Sequence, residues 1–163
     1  MPLIPVPEFT EALAGFATGV VVVTVRDGRD DIGTTVTAFG SVSAEPPLVL
    51  VSIAAESYLS EVMHLRDYWS ATVLGAAQRA LAGRFSAAGR PSARLLIAAV
   101  PHHRGPHSGA LIVDGGTAAL ECRTRQRVPA GDHVLFIAEV VAVDYVDPTR
   151  KPLIRVNHRY LKD

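Results

Sequence analysis

Short apolar runs separated by turn-forming residues dominate the chain, and this pattern predicts strands more often than helices. The run "VVVVTV" after Gly19 is almost entirely β-branched and predicts a buried strand. A second strand is predicted from Thr34 to Val42; Glu45-Pro46-Pro47 ends it, and "LVLVSI" begins the next. Further strands are predicted in "WSATVL", on both sides of the Asp114–Gly116 turn, in "GDHVLFIAEVVAVDYV" and in "PLIRVNHRYLKD".

Helical spacing appears in three places. The stretch "PEFTEALAGF" puts Phe9, Leu13 and Phe16 on one stripe. The stretch "SYLSEVMHLRDY" begins with Ser57, a candidate N-cap, and "AAQRALAGRFSAAG" is apolar at helical intervals. The stretch "ARLLIAAV" fits either a strand or a helix end, and "PHHRGPHSG" is predicted to be a loop. With about seven to nine strands and two or three short helices, the pattern favours a β-sandwich or barrel over a doubly wound parallel sheet.

Length and composition narrow the class of protein. A chain of 163 residues with 48% hydrophobic residues suits a single domain over residues 1–163. Sixteen basic residues balance sixteen acidic ones, which gives no electrostatic case for nucleic acid or an anionic membrane as a partner. No apolar run is long enough to cross a bilayer. The single Cys122 excludes an internal disulfide, so a cytoplasmic location is favoured.

Common motifs of nucleotide binding and hydrolysis are absent. The chain has no G-x-G-x-x-G before a helix, no G-x-x-x-x-G-K-[ST] and no G-x-S-x-G. The histidines His102, His103 and His107 could bind a metal, but no carboxylate or cysteine stands at ligand spacing, so we expect a solvated loop and no metal site. Cys122, in a predicted strand, is expected to be a buried thiol rather than a nucleophile.

Three places carry polar groups that suit chemistry. His133 begins a strand after Gly131-Asp132, where a turn aspartate could hold its ring; the alternative is a histidine that faces solvent. Arg84 is either a solvated cation near a helix end or a fork for a phosphate. The tail with Arg159 and Tyr160 could cover a planar anionic ligand, pack on a second subunit, or be a charged, frayed end.

The order of several segments resembles the flavin reductase family, whose fold is the FMN-binding split barrel. These segments are "FATGVVVVT", "GTTVTAFGSVSAEPPLVLVSIA", "LAGRFS", "GALIVDGGTAALECR" and "PAGDHVLFIAEV", and the resemblance extends from about Phe9 to Tyr160. It implies a mainly β fold, a six-stranded antiparallel Greek-key split barrel with a few flanking helices, working as a homodimer. It also implies reduction of FMN or FAD by NADH or NADPH, with reduced flavin passing to a partner monooxygenase.

The resemblance also implies a set of site residues. One wall of a slot for the flavin ring would be Thr35, Val36, Thr37 and Ala38, and the other Ser52, Ile53 and Ala54. The phosphate arm would lie near Ser57, Tyr58 and Leu59 and near Arg84 and Phe85, with His133 on the nicotinamide side and Arg159-Tyr160 at the terminal aromatic. Relatives often carry hydroxyls at the positions of Ala38 and Leu59. Their absence here leaves open a flavin-binding accessory protein without reductase activity. Because a fold does not by itself prove a function, a dimeric scaffold also stays open.

Overall fold

The computed structural model describes residues 3–162, and most of them lie in antiparallel strands. The helices are α1 (Val6–Ala14), α2 (Tyr58–Leu65), α3 (Arg79–Ser86) and α4 (Ala93–Leu96), with a 3-10 turn at Ala76–Gln78 before α3. The strands are β1 (Thr18–Gly19), β2 (Val21–Asp27), β3 (Asp30–Val36), β4 (Phe39–Ala44), β5 (Pro47–Ala54), β6 (Tyr68–Val73), β7 (His102–Arg104), β8 (Leu111–Val113), β9 (Ala118–Ala130), β10 (His133–Val146), β11 (Ile154–Val156) and β12 (Arg159–Tyr160).

Seven strands form the main sheet in the order β3-β2-β6-β9-β10-β5-β4. Neighbouring strands in it pair antiparallel. Short turns join β2 to β3, β4 to β5 and β9 to β10, and such turns give antiparallel pairs. Although β3 and β5 lie near opposite edges of this order, they contact each other, and the Ser52 amide donates to the Ala38 carbonyl at 3.0 Å. The sheet is therefore curled, and this curl brings the two predicted walls together.

Two apolar clusters fill the two sides of the sheet. Trp69, Phe136 and Met63 are fully buried in the first cluster, under α2. Phe85 and Ile97 are fully buried in the second, beneath α3 and α4. The predicted core position of Phe85 and the Ser57 cap of α2 are both confirmed, the latter by a Ser60 amide that donates to the Ser57 hydroxyl at 3.1 Å.

The uninterrupted strand predicted from Thr34 to Val42 is wrong. The chain forms β3 up to Val36 and β4 from Phe39, and these two strands pair with different neighbours. Thr37 and Ala38 lie between the two ladders, because β3 follows β2 while β4 turns to pair with β5. The apolar and hydroxyl pattern continues across this break, so periodicity alone does not reveal it.

The loop predicted at the three histidines is also partly wrong. His102–Arg104 is β7, which pairs with β8. His103 bridges two carboxylates, with Nδ1 at 2.7 Å from Asp114 Oδ1 and Nε2 at 2.7 Å from Asp144 Oδ2. These contacts attach the β7–β8 hairpin to β10, so His103 is a structural residue and only the following turn is a loop.

Helix α1 lies where its spacing predicts, yet none of its residues is buried. Its apolar stripe is exposed: Phe9 at 54%, Leu13 at 53% and, just beyond the helix, Phe16 at 73%. Between residues 3 and 162, every helix is too short or too polar to span a lipid bilayer.

Candidate functional site

A cavity of about 280 Å³ opens between the end of β3 and the end of β5. We call it the threonine cavity. It is lined by Thr34, Thr35, Val36, Thr37, Ala38, Ser52, Ile53, Ala54, Ser57, Leu59, Arg90 and His133. The structure therefore brings together the two walls expected for a flat ring, together with Ser57 and His133.

The break between β3 and β4 supplies the backbone groups of this cavity. Thr37 and Ala38 pair with no neighbouring strand, so their amides are not used in a ladder. The Ala38 carbonyl accepts the Ser52 amide, which fixes the spacing of the two walls. Backbone amides at such a break can donate to the carbonyl and nitrogen edge of a heterocycle without the disorder of long side chains.

The hydroxyls of Thr34 and Thr35, just before the break, make contacts with α3. The Thr35 hydroxyl donates to the Ala82 carbonyl at 2.7 Å, and the Thr34 hydroxyl donates to the Phe85 carbonyl at 3.4 Å. Both hydroxyls thus hold α3 against β3. Thr35 lines the cavity, but its proton is directed to the helix rather than to a ligand.

The opposite end of the cavity is positive. The first turn of α2 begins there. As in the first turn of any helix, the amides of Tyr58 and Leu59 have no intrahelical carbonyl to donate to, so they can donate to an anion. Arg127 holds the other end of α2 through two hydrogen bonds to the Met63 carbonyl, at 3.1 and 3.0 Å. This contact fixes the direction in which the N-terminus of α2 points.

Arg90 supplies a positive charge at this end of the threonine cavity. Its Nε donates to the Gly33 carbonyl at 2.8 Å and its Nη1 donates to the Ala87 carbonyl at 3.3 Å, so the guanidinium is oriented by backbone. No carboxylate among residues 3–162 forms an ion pair with it, and burial lowers the pKa of Arg90. An oriented, half-buried guanidinium beside a helix N-terminus is a suitable site for a phosphate.

Arg84 and Phe85 lie elsewhere. Arg84 is exposed on α3 and does not line the cavity, while the ring of Phe85 is fully buried in the second cluster. Sequence reasoning missed Arg90. The signal that could have found it is "AAGRP": α3 ends at Ser86, Gly89 has φ of +64°, and the chain turns back to the cavity at the next residue.

His133 lines the cavity at the start of β10, opposite Ala54 in the β5 ladder. Its Nδ1 lies 2.7 Å from Asp132 Oδ1, as the Gly-Asp-His turn predicts. This hydrogen bond, followed by the charge of His133, lowers the pKa of Asp132. Because Asp132 accepts at Nδ1, the Nε2 atom of the neutral ring is an acceptor, and in the imidazolium both nitrogens donate.

A second depression, which we call the helix groove, adjoins the cavity at Thr37 and Ala38. It has a volume of about 430 Å³ and lies between the apolar stripe of α1 on one side and Arg155 of β11 with the turn residue His158 on the other. Arg159 and Tyr160 form β12 and do not line the threonine cavity; Tyr160 packs on the second cluster with the Arg155 guanidinium 5.3 Å from its ring centre.

Neither Cys122 nor the segment with His102, His103 and His107 contributes a side chain to the threonine cavity. Burial, followed by the charge of Glu121, raises the pKa of Cys122 to about 12, so its thiol is inert at neutral pH. Within the part of the chain that the structure describes, no three His, Cys, Asp or Glu side chains are grouped as metal ligands.

The family model that matches this chain is described as a flavin reductase like domain, and it covers residues 13–162. The match spans the cavity, Arg90 and the terminal strands.

The individual proteins that this chain is similar to are flavin reductases or reductase components. The chain is 34% identical to an NADH-dependent FMN reductase of Streptomyces nodosus subsp. asukaensis, over 96% of this chain and 85% of that one. It is 36% identical to the reductase component of 4-hydroxyphenylacetate 3-monooxygenase of Thermus thermophilus, over 83% of each chain. Among solved structures, the NADH:FAD oxidoreductase of Streptomyces globisporus C-1027 matches with a TM-score of 0.89 at 28% identity, covering 100% of this chain and 98% of that one. The expected split-barrel fold class is confirmed.

Proposed function

This chain belongs to the flavin reductase family, and we propose that it reduces FMN or FAD with NADH and supplies reduced flavin to a partner monooxygenase. The observation that carries this function is the two-ended threonine cavity. Unpaired backbone amides lie at one end, and a helix N-terminus with an oriented arginine lies at the other.

The residues present fit a flavin. A flat wall from Thr35 to Ala38 and a second from Ser52 to Ala54 suit a ring system, and the amides of Thr37 and Ala38 are placed to donate to its polar edge. Ser57, the first turn of α2 and Arg90 suit the phosphate, with Tyr58 at the same turn. When bound, the flavin supplies the hydride acceptor that NADH requires.

The side chains then have roles of binding and orientation rather than proton transfer. Amides that donate to the ring edge stabilise the negative charge that develops there on reduction. His133 lines the cavity, and Asp132 fixes its orientation, so it would face the nicotinamide beside a bound flavin ring. We propose that His133 positions the nicotinamide, so it is the residue closest to the reaction without acting as its base.

Reduced flavin has to leave the protein to reach a monooxygenase, and the lining of the threonine cavity is suited to weak binding. Ala38 and Leu59 supply no side-chain hydroxyl, so the ring is held largely by backbone groups. A reductase that supplies a separate monooxygenase binds flavin as a substrate, and modest affinity is consistent with that task. The monooxygenase is therefore a partner in reduced-flavin supply.

We further propose that the chain works as a homodimer in the cytoplasm. The exposed apolar stripe of α1 and Phe16 extends over about two helical turns, and a second copy would cover it together with the helix groove. The cytoplasm holds the NADH that the reaction consumes and keeps Cys122 reduced.

The experiment is NADH oxidation by purified protein, followed at 340 nm with FMN and with FAD. We expect flavin-dependent oxidation well above a blank without protein. NADPH is assayed in parallel, because the sequence left both donors open. If neither nicotinamide is oxidised with saturating FMN or FAD, the proposed function is wrong.

A further inference from the structure

Helix α2 carries the anion end of the threonine cavity at its first turn, yet contacts outside the cavity hold the helix in place. Ser57, the N-cap of α2, lines the cavity, and the amides of the first turn follow it. The β9–β10 hairpin contacts α2 at both ends. The Ala55 amide, in the turn before the helix, donates to the Asp132 carbonyl at 2.9 Å, and Arg127 of β9 reaches the Met63 carbonyl in the last turn.

We propose that Arg127 is a positioning residue for the flavin phosphate, because it holds α2 so that the amides of the first turn point at that phosphate. The Arg127 side chain does not line the threonine cavity, so its effect on a ligand is transmitted by the helix. This inference rests on the proposed function, because it requires a flavin in the cavity with its phosphate at α2.

The first argument is the geometry of the contact. Nε and Nη2 of Arg127 donate to the Met63 carbonyl at 3.1 and 3.0 Å, and Nη2 also donates to Asp67 Oδ1 at 2.7 Å. The Met63 carbonyl is one of the last four of the helix, which have no amide partner within it. Two donors on one carbonyl, from a guanidinium that a carboxylate orients, fix both the distance and the direction of this helix end.

The second argument is that the other contacts of α2 restrict its tilt less. Three apolar side chains of α2 are buried in the first cluster: Leu59, Val62 and Met63. They fix how deep the helix lies, but apolar contacts have no preferred direction. Arg66 at the C-cap pairs with Asp27 at 2.9 Å, but its side chain is 51% exposed and such pairs contribute little. The hydrogen bonds of Arg127, which is 26% exposed, are therefore the better shielded directional contact at this end.

The third argument separates geometry from charge. A helix of eight residues is about 12 Å long, which exceeds the screening length of about 8 Å at physiological ionic strength. Asp67 also balances the charge of Arg127. The guanidinium therefore attracts a phosphate only weakly across the helix, and its effect on binding comes from the direction of the first-turn amides.

The test measures the KM for FMN and for riboflavin in Arg127→Gln, by NADH oxidation. We expect the KM for FMN to rise about fivefold, the size of one weakened hydrogen bond, while the KM for riboflavin, which has no phosphate, stays within about twofold. Because geometry rather than charge is lost, the ratio of variant to wild type should persist at about 0.5 M salt. Arg127→Lys, which keeps one cationic donor for the Met63 carbonyl, should recover part of the loss.

Arg125→Gln is the matched control, because it removes the same charge from the same strand. Arg125 is 46% exposed and pairs with Glu139 rather than with α2, so both KM values should stay near those of the wild type. Asp67→Asn keeps Arg127 but removes the carboxylate that orients it, and it should raise the KM for FMN by a smaller factor. This variant carries the test if Arg127→Gln does not fold.

Three results would overturn the inference. They are an equal rise of the KM for FMN and riboflavin in Arg127→Gln, an effect of Arg125→Gln on FMN as large as that of Arg127→Gln, and unchanged KM values in both Arg127→Gln and Asp67→Asn. An equal rise accompanied by a lower Tm would show that Arg127 only stabilises the fold.

Flavin fluorescence titration distinguishes failure of this inference from failure of the proposed function. If the wild type oxidises NADH but Arg127→Gln affects FMN and riboflavin alike, the positioning role is wrong and the reductase function stands. If the wild type oxidises no NADH, yet Arg127→Gln weakens binding of FMN and not of riboflavin, the positioning role stands and the reductase function is refuted.

Discussion

The resemblance in sequence implies Arg84 as the phosphate ligand, whereas the structure places Arg90, six residues later, in the cavity. Arg90 is held toward the cavity by the Gly33 carbonyl, whereas Arg84 is exposed on α3. Arg90→Ala is expected to raise the KM for FMN and FAD at least about tenfold, because a charged hydrogen bond to phosphate is lost. Riboflavin reduction should change little. Steady-state NADH oxidation with the three flavins measures this.

Arg84→Ala is the matched control, with the same charge removed six residues earlier. Its KM for each flavin should stay within about twofold of wild type, since exposed cations contribute little. If Arg84→Ala weakens FMN binding and Arg90→Ala does not, the phosphate site is the one implied by resemblance and the geometric argument is wrong. Sequence patterns identified the helix and its core Phe85, but the end of α3 and the turn at Gly89 decide which cation reaches the cavity.

His133 gives a second prediction at the residue scale. Because it is placed to position the nicotinamide, His133→Ala should raise the KM for NADH about fivefold, the loss of about one hydrogen bond, with a smaller effect on flavin affinity. His133→Asn, which keeps a donor near the position of Nδ1, should recover part of the loss. Steady-state kinetics with NADH varied at saturating flavin measures the effect. Unchanged NADH kinetics in His133→Ala would remove this residue from the mechanism.

At the scale of elements, the β7–β8 hairpin depends on one histidine. Burial lowers the pKa of His103, but hydrogen bonds and charges from Asp144 and Asp114 outweigh burial and raise it above the ordinary value of 6.5. Only the imidazolium can donate to both carboxylates at once. Since the folded-state pKa is raised, this stabilisation is complete below pH 6.5 and is lost as pH rises through the raised pKa.

His103→Gln should therefore flatten the pH dependence of thermal stability. The Tm of the wild type should exceed that of the variant more at about pH 6 than at about pH 9, as proton linkage requires. Differential scanning fluorimetry across this range measures both. His107→Gln, in the neighbouring exposed turn, is the control and should retain the wild-type pH dependence. A Tm difference that does not change with pH would show that His103 contributes no charged contact.

The same hairpin shows what periodicity cannot predict. The strand β7 is three residues long and carries polar side chains, so it shows no apolar alternation. Contacts of His103 with Asp114 and Asp144 hold it in place instead of an apolar face. Likewise, the break at Thr37–Ala38 follows from partners that lie far along the chain, β2 on one side and β5 on the other. Long apolar runs such as β2 and β10 are predictable because local burial determines them. The site depends on the non-local pairings.

At the scale of the molecule, the exposed stripe of α1 is the surface that local sequence cannot explain. Its spacing predicts a helix and a buried face, and the helix forms, but within residues 3–162 Phe9 and Leu13 stay 54% and 53% exposed. Exposed apolar stripes mark association surfaces, and the proposed homodimer would cover this one with a second copy. The curled sheet brings the adjoining helix groove next to Thr37 and Ala38, so association would also shield the cavity from water.

Replacing both stripe residues, Phe9→Glu with Leu13→Glu, tests this association. Because neither side chain is buried within one copy, the fold should be retained, while two carboxylates in an apolar interface should prevent association. Light scattering after size exclusion should give twice 17.3 kDa for the wild type and 17.3 kDa for the variant. Leu95→Glu, at a leucine that is 68% exposed on α4, is the control and should remain dimeric. A wild-type protein that is monomeric at micromolar concentration would contradict the dimer and leave the threonine cavity to work within a single chain.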